Sequence, residues 1–185
     1  MMNILAFAAT NSRQSINSQL VNYAANVLEE RSNIEINLSV IDLNDYEMPI
    51  YSTDRENESG IPAQAQRFFH QIQEADIVLI SFAEHNGSFT AAYKNIYDWA
   101  SRIDMKVYQD KAMVLLATSP GPGGASSVLK SAVESFPYFG ADVLGSYSLG
   151  MFYDKFDMEN AQLQQDELER LISELDKVIP EVVEA

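Results

Sequence analysis

The 185-residue sequence contains no cysteine, and this absence excludes disulfides, zinc–thiolate sites and thiol nucleophiles. Histidine is nearly absent too, since His70 and His85 are the only two. His70 follows Phe68 and Phe69 in a helical pattern, so we expect it to be a partly packed helix residue. Two scattered imidazoles and no thiols give no basis for a metal site, and none is predicted.

Basic residues and long apolar runs are also scarce. Twelve Lys and Arg residues stand against 27 Asp and Glu residues, and the net charge of −15 argues against nucleic-acid or anionic membrane partners. No apolar run approaches the ~20 residues that span a bilayer. The N-terminus lacks the charged region and the cleavage site of a signal peptide. We therefore expect a cytoplasmic protein with no nucleic-acid and no membrane partner.

Length and composition are those of an ordinary globular protein, with 46% apolar and 21% charged residues. A chain of this length buries roughly 70% of the surface that its unfolded form exposes. No internal repeat, low-complexity tract or linker interrupts the sequence. We predict a single domain over residues 1–185.

The stretch from Asn3 to Leu20 has the pattern of a strand, a polar loop and a helix. Its apolar run at residues 4–9 does not alternate, which indicates a strand buried on both faces, as in a parallel sheet. A loop rich in hydroxyl and amide groups follows, and a helix is predicted over residues 16–31. This arrangement directs backbone N–H groups and the helix dipole at an anion.

The side chains of this loop point to a phosphate. Hydroxyl and amide groups donate hydrogen bonds without adding charge, and four such residues are in place: Thr10, Ser12, Ser15 and Asn17. Arg13 adds a charge-assisted contact, and residues 3–28 contain no Asp or Glu to oppose it. The helix dipole contributes only about 0.3–1 kcal/mol, up to ~2 when partly buried, so hydrogen bonds must carry most of the affinity. The alternative is that Ser15 only caps the helix and the remainder is a polar turn.

Apolar runs alternate with helical patterns along the rest of the chain. Strands are predicted at residues 34–42, 77–82, 112–118 and 141–149, and helices at 62–74, 90–103, 125–136 and 159–178, with 43–60 as a loop. The second strand alternates and is therefore placed at an edge. Strands that alternate with helices form a parallel sheet with right-handed crossovers. We predict an α/β fold, a flavodoxin-like three-layer sandwich with a five-stranded parallel sheet in the order 2-1-3-4-5 and helices on both faces.

Three loops should then meet beyond the carboxyl ends of the strands, where ligands bind in this fold: residues 10–17, 83–90 and 119–124. In the second loop, Asn86 has the donor and acceptor that the edge of a heteroaromatic ring requires, and Gly87 permits a positive φ. In the third, glycines leave backbone N–H groups uncovered and two prolines stiffen the chain. The alternatives are a plain turn for the second loop and a flexible connector for the third, although the prolines count against flexibility.

Residues 84–102, E-H-N-G-S-F-T-A-A-Y-K-N-I-Y-D-W-A-S-R, resemble the signature of the NADPH-dependent FMN reductase family of flavodoxin-like flavoproteins. The segment S-R-Q-S-I-N-S-Q-L at residues 12–20 is similar to the phosphate loop of that family, and S-P-G-P-G-G at 119–124 is similar to its third flavin loop. The sequence departs from the family pattern at four positions: Ala83, His85, Thr90 and Tyr93 stand where the family has proline, tyrosine, proline and leucine.

The resemblance implies a site for FMN made by three groups of residues. Ser12, Ser15, Ile16 and Asn17 would hold the phosphate, with Thr10 and Arg13 beside them. Glu84, His85, Asn86 and Gly87 would lie along the isoalloxazine, and Ser119, Gly121 and Gly124 would close on its pyrimidine end, where donors stabilise negative charge. Trp99 would pack, and Asp98 would pair with Arg102 at i,i+4.

The same resemblance implies an FMN-dependent oxidoreductase that takes hydride from NADPH or NADH. Its small-molecule electron acceptor would be a quinone, a free flavin, an azo compound or a metal oxyanion. No protein acid or nucleophile is required, because the flavin carries the chemistry. The resemblance also implies a homodimer or homotetramer. The sequence does not indicate the physiological acceptor or the preferred nucleotide.

Two other functions remain open at this point. The first is a non-enzymatic FMN-binding electron carrier, which the acidity favours because carboxylates near the ring oppose its reduction. The second is a flavodoxin-like binding or regulatory protein without flavin, which the departures at Ala83 and His85 keep open.

Overall fold

A five-stranded parallel sheet forms the centre of the structure, a computed structural model that describes residues 1–179. Its strands are β1 (Met2–Ala9), β2 (Ile36–Val40), β3 (Ile77–Phe82), β4 (Lys111–Thr118) and β5 (Ala141–Leu149). They lie in the order β2-β1-β3-β4-β5, which confirms the predicted order. The fully apolar β3 is buried along its whole length, and β2 is mostly exposed at one edge, as its alternating pattern predicts.

Helices cover both faces of the sheet. The α-helices are α1 (Ile16–Arg31), α2 (Thr53–Ser59), α3 (Ala63–Glu74), α4 (Ala91–Ala100), α5 (Ser126–Ser135), α6 (Phe152–Lys155) and α7 (Gln165–Leu175). Short 3-10 helices occupy Leu43–Tyr46, Phe136–Phe139 and Asp176–Val178. Helices α1 and α7 pack on one face, and α3, α4 and α5 pack on the other. None of these helices is long and apolar enough to cross a bilayer.

Two hydrophobic cores result, one on each face of the sheet. Alternate side chains of β1 point into different cores: Phe7 faces α3 and α4, whereas Ile4 faces α1. The core beside α4 is rich in aromatic rings, and the hydroxyls of Tyr93 and Tyr108 hydrogen-bond each other at 2.6 Å within it. Burial raises the pKa of both phenols well above the ordinary value, so both stay neutral.

The segment predicted as a loop over residues 43–60 contains helical structure. Besides the 3-10 helix, α2 forms between two clear capping residues. The Ser52 hydroxyl accepts a hydrogen bond from the Arg55 amide at 3.2 Å, and Gly60 ends the helix with a φ of 72°. No residue of α2 is buried, so the apolar periodicity that reveals other helices is missing here.

The predicted final helix over residues 159–178 begins too early. The structure has a short antiparallel hairpin there, in which β6 (Phe156–Asp157) pairs with β7 (Gln162–Leu163), and α7 starts only at Gln165. The Asp157 carboxylate closes the turn by accepting hydrogen bonds from the amides of Glu159 and Asn160 at 2.8 and 3.1 Å. A second correction concerns His70, which is exposed on α3 rather than partly packed.

Candidate functional site

The three predicted loops meet at the carboxyl edge of the sheet. They follow β1, β3 and β4, which are adjacent and parallel. Hydrogen bonds tie the second loop to the elements on either side: the Thr90 hydroxyl donates to the Ala9 carbonyl at the end of β1 at 2.9 Å, and the Val128 amide in α5 donates to Glu84 at 2.9 Å. The structure therefore assembles one cradle from residues that lie more than a hundred positions apart in the sequence.

Two hydroxyls shape the first loop from within. Ser15 is the N-cap of α1, and its Oγ accepts hydrogen bonds from the amides of Asn17 and Ser18 at 3.2 and 3.4 Å. Thr10 is buried, and its Oγ1 accepts from the Ser12 amide at 3.2 Å. The capping role proposed as the alternative for Ser15 is thus present. It leaves the hydroxyl proton available, because a serine Oγ can accept and donate at once.

The rim of this loop carries donors without partners. Within residues 1–179, the backbone N–H groups of Arg13, Gln14 and Ser15 donate to no protein acceptor. The Arg13 side chain is exposed and forms no ion pair with any described residue. Ile16 follows in the first turn of α1, where the helix dipole is positive. These groups fit the donor set that a phosphate requires.

The Asn17 side chain, predicted to contact the phosphate, hydrogen-bonds within the protein. Its side chain is only 3% exposed and points into the sheet. The Oδ1 atom accepts hydrogen bonds from Ser81 Oγ at 2.7 Å and from the Thr118 amide at 3.1 Å, while Nδ2 donates to the Thr118 carbonyl at 3.2 Å. Both the oxygen and the nitrogen of the carboxamide are therefore hydrogen-bonded to the protein.

Glu84 is also held by the protein. Its Oε2 atom accepts the hydrogen bond from the amide of Val128, which lies in the first turn of α5. A carboxylate in that place satisfies a helix N–H group and interacts favourably with the helix dipole. The side chain thus ties the second loop to the helix that follows the third loop, and the segment predicted to lie along a ring is fixed at its base.

The tip of the second loop is a tight hairpin. His85 and Ser88 exchange backbone hydrogen bonds at 3.0 and 3.1 Å around Asn86 and Gly87, whose φ angles are 54° and 75°. Two positive φ angles define a type I′ turn, for which Asn-Gly is the preferred sequence. The positive φ expected at Gly87 is therefore present. His85 and Asn86 are exposed, and their side chains make no hydrogen bond to any described residue.

The third loop is ordered by contacts with the chain that follows β5. The Ser119 hydroxyl donates to the Gly121 carbonyl at 3.1 Å, and the Met151 amide donates to the same carbonyl at 2.9 Å. These bonds oppose the alternative of a flexible connector. The Gly121 amide has no protein acceptor among the residues described here.

Gly124 serves packing within this loop. It is buried, its φ is +58°, and a Cβ atom built on it would lie 2.4 Å from Ser148 Oγ and 2.9 Å from the Gly150 nitrogen. No side chain fits between the loop and the end of β5. The side of Gly124 on which a Cβ would lie is therefore in close contact with the protein.

A cavity of about 310 Å³ opens beside the first two loops. Asn11 and His85 contribute from those loops, and the wall opposite is formed largely by apolar residues of the segment 43–50. Glu47 is the one residue among Asp, Glu, Lys and Arg that lines it. The cavity is close to the lower end of the size range of small-molecule sites.

The outer wall of this cavity is fastened to α4. The Trp99 indole donates to the Pro49 carbonyl at 2.7 Å, and Asn95 accepts from the Tyr51 amide at 2.8 Å. Trp99 is 1% exposed, which confirms that it packs.

The ion pairs near this wall differ from the predicted one. The predicted pair of Asp98 with Arg102 is wrong, because Asp98 pairs with Lys94 at 2.6 Å and Arg102 reaches Glu56 on α2 at 3.1 Å. The latter pair joins α2 to α4, and α2 was absent from the predicted structure.

Sequence reasoning missed one charged residue at the first loop. Asp42 follows β2 and shares a cavity of about 330 Å³ with Thr10, Ser12 and Arg13. Its carboxylate accepts a hydrogen bond from the Asn44 amide at 2.9 Å. The first loop lacks carboxylates of its own, but the neighbouring strand supplies one. The signal was available in the predicted strand order, which places β2 next to β1.

Comparison with known proteins gives matches over most of the chain. The pattern of the family described as NADPH-dependent FMN reductase matches residues 2–154. A probable NADPH:quinone oxidoreductase of Oryza sativa subsp. japonica is 30% identical over 128 residues, which are 69% of this chain and 61% of that protein. The chain thus spans less than two thirds of the length of that relative.

Solved structures of other proteins have a similar fold. The flavoenzyme NAD(P)H:(acceptor) oxidoreductase FerB from Paracoccus denitrificans superposes with a TM-score of 0.72 at 19% identity, covering 95% of this chain and 94% of that one. An FMN-dependent NADH-azoreductase from Bacillus anthracis, solved in complex with FMN, gives a TM-score of 0.67 at 12% identity over 97% and 100% of the two chains. At these identities the structures establish the fold, whereas the match over residues 2–154 establishes the family. This chain belongs to the NADPH-dependent FMN reductase family.

Proposed function

We propose that this protein binds FMN in the cradle of the three loops and is an NAD(P)H-dependent oxidoreductase. The observation that carries the proposal is the row of N–H groups at Arg13, Gln14 and Ser15, which lie beside the Arg13 guanidinium before α1 and, like it, have no protein partner within residues 1–179. Family membership supports the same conclusion. When bound, FMN supplies the redox chemistry, which moves two electrons and a proton as hydride from a nicotinamide to an acceptor.

The residues of the chain bind and orient the cofactor. The N–H groups of the first loop, the Ser12 hydroxyl and Arg13 hold the phosphate, which needs several hydrogen bonds because the helix dipole alone is weak. The rigid turn at Asn86 and Gly87 supports the ring from the second loop. The amide of Gly121 donates at its pyrimidine end, where hydrogen bonds stabilise the negative charge that builds up on reduction.

We propose a quinone as the electron acceptor. The cavity beside Asn11 and His85 has mainly apolar walls, which suit a small planar ring, and Asn11 and His85 can donate to its carbonyl oxygens. The rice relative is named an NADPH:quinone oxidoreductase, which supports this choice. A free flavin, an azo compound and a metal oxyanion are the other acceptors, and the negative charge of Glu47 disfavours the oxyanion.

A second candidate is a non-enzymatic FMN-binding electron carrier. The net charge of −15 and the carboxylate of Asp42 beside the first loop favour it, because negative charge near the cofactor opposes reduction and lowers the potential. The two candidates share the cofactor and differ in whether a nicotinamide nucleotide reduces it directly.

The test is the visible absorption spectrum of the purified protein without oxygen, before and after addition of NADPH and, separately, NADH. Rapid bleaching of a flavin spectrum by either nucleotide is the expected result. A flavin spectrum that ignores both nucleotides but bleaches with dithionite would favour the carrier. Absence of a flavin spectrum after incubation with FMN would contradict both candidates.

We further propose that the protein is a homodimer or homotetramer. The family resemblance supports this assembly, and the apolar side chain of Ile50 beside the cavity is 74% exposed and so available to a partner copy. Light scattering at micromolar concentration should give at least twice the 20.7 kDa mass of the chain. A monomer would contradict the proposal.

We propose a cytoplasmic location from the co-substrate and from the lack of cysteine. The co-substrate is an intracellular nucleotide, and a sequence without cysteine gains nothing from an oxidising compartment. Recovery of the protein from the secreted fraction of cells would contradict this location.

A further inference from the structure

Asn17 joins the start of α1 to two strands of the sheet. It is the second residue of the helix, yet its side chain extends away from the helix terminus to Ser81 on β3 and Thr118 on β4. Three hydrogen bonds of 2.7 to 3.2 Å hold the carboxamide. We propose that Asn17 is a positioning residue, which sets the phosphate-binding end of the cradle at a fixed distance from its ring-binding end.

The two partners of Asn17 stand directly before the ring-binding loops. Ser81 is the second-last residue of β3, and the second loop begins two residues later. Thr118 is the last residue of β4, and its hydroxyl donates to the Leu149 carbonyl at the end of β5, at 2.7 Å. One buried side chain thereby connects the helix that follows β1 to β3 and β4, and through Thr118 to β5.

This arrangement bears on FMN binding because different loops hold the two ends of the cofactor. This inference rests on the proposed function. When two linked groups bind two sites, the second gains affinity only if the distance between the sites matches the linker. If α1 shifts relative to β3 and β4, the phosphate loses its contacts while the ring keeps its own. The contribution of the phosphate should therefore depend on Asn17, although Asn17 does not touch the phosphate.

Substitution of Ser81 distinguishes this proposal from a direct contact between Asn17 and the ligand. Its side chain is fully buried beneath the first loop, so it cannot reach a bound cofactor. If Asn17 acts through position, removal of the Ser81 hydroxyl should weaken phosphate binding as well. If Asn17 instead turns outward to contact the phosphate, removal of that hydroxyl should have no effect.

The experiment compares FMN with riboflavin, which has the same ring and no phosphate. The flavin-free wild type, Asn17→Ala and Ser81→Ala are titrated with each compound, and the quenching of flavin fluorescence gives both dissociation constants. We expect the FMN constant to rise about 10- to 100-fold in Asn17→Ala and about 3- to 10-fold in Ser81→Ala. The riboflavin constant should change less than about threefold, because the ring contacts persist. Ser131→Ala, on the surface of α5, is the matched control and should change neither constant.

Each result decides the proposal. A selective loss of FMN affinity in Ser81→Ala supports it, even if Asn17→Ala fails to fold, because Ser81→Ala leaves two hydrogen bonds of Asn17 in place. An unchanged FMN constant in a folded Ser81→Ala overturns it, as does an equal loss of FMN and riboflavin affinity. If the wild type itself binds no FMN, the proposed function fails and this inference fails with it. If the wild type binds FMN and only the variants disagree, the proposed function stands.

Discussion

The first and third loops of the cradle are built by different physical means. The first loop is fixed from beneath by the hydrogen bonds of Asn17, and its exposed rim carries N–H donors that have no partner in the described part of the chain. The third loop is fixed by close contact, since Gly124 lies against the end of β5 with no room for a side chain. A loop that must present polar groups to an anion can be held by a buried polar side chain behind it. A loop that lies along a flat ring can be held by backbone packing, which leaves its other side open.

The largest effect on stability is expected from substitution of Gly124 in the third loop. Substitution Gly124→Ala forces a Cβ against Ser148 Oγ and the Gly150 nitrogen, at a φ that alanine adopts only with strain. We expect a loss of about 2–4 kcal/mol in the free energy of unfolding, measured by chemical denaturation. Gly123→Ala is the matched control, because nothing lies within 4 Å of its Cβ position. Equal stability of the two variants would show that the third loop is not held by contact.

A smaller effect is expected at the rim of the first loop. Arg13→Ala removes a charge-assisted contact to the phosphate and should weaken FMN binding about tenfold at low salt, with the loss shrinking as ionic strength rises. Calorimetric titration with FMN at two salt concentrations measures this loss of affinity. Arg31→Ala, at the opposite end of α1 and paired with Asp176, should leave the affinity unchanged. Equal effects of the two substitutions would mean that overall charge, rather than the loop, attracts the phosphate.

The smallest effect is expected at Glu167, in the part of the chain after β5 that supports the third loop. Glu167 on α7 is 2% exposed and binds the Tyr147 hydroxyl at 2.9 Å, Arg170 at 2.6 Å and Lys155 on α6. Burial by itself raises the pKa of this carboxyl, but the hydrogen bonds and the two cations outweigh it and hold the pKa below its ordinary value of 4.5.

A depressed folded-state pKa means that the stabilisation is present above the unfolded-state pKa and is lost as the pH falls through the folded-state value. Glu167→Gln should therefore lower the free energy of unfolding by about 1 kcal/mol at pH 7, a modest figure because the cations are partly exposed. This difference should vanish in acid. Denaturation curves between pH 7 and pH 3 measure it, and a difference that persists unchanged at pH 3 would contradict the ionised network.

The sequence predicted the elements whose buried residues form a recognisable pattern along the chain. A continuous apolar run located β3 at its observed bounds, helical spacing located α1, and the strand predicted at residues 141–149 coincides with β5. It failed at α2, which buries nothing, and at the two-residue strands of the hairpin before α7, which are too short to show a period. Helix α2 nevertheless has a recognisable start and end in Ser52 and Gly60, so its capping residues were the usable signal.

For the site, the sequence likewise predicted which residues lie in the loops but not where their side chains point. Composition and spacing located the three loops, but they could not show that Asn17, Glu84 and Gly124 face the protein. For Asn17 a signal existed, because it lies three and seven residues before Leu20 and Ala24 on the buried face of α1. For Glu84 there was none, since its partner is a backbone amide 44 residues away.

The fastening of the segment 43–50 to α4 has a kinetic consequence. Because the Trp99 indole and the Asn95 carboxamide hold Pro49 and Tyr51, the outer wall of the cavity is part of the packed fold. We expect a wall held in this way to move less than the lids that limit turnover in many enzymes. We therefore expect small molecules to enter and leave this cavity by diffusion, at rates that depend on their own charge and size.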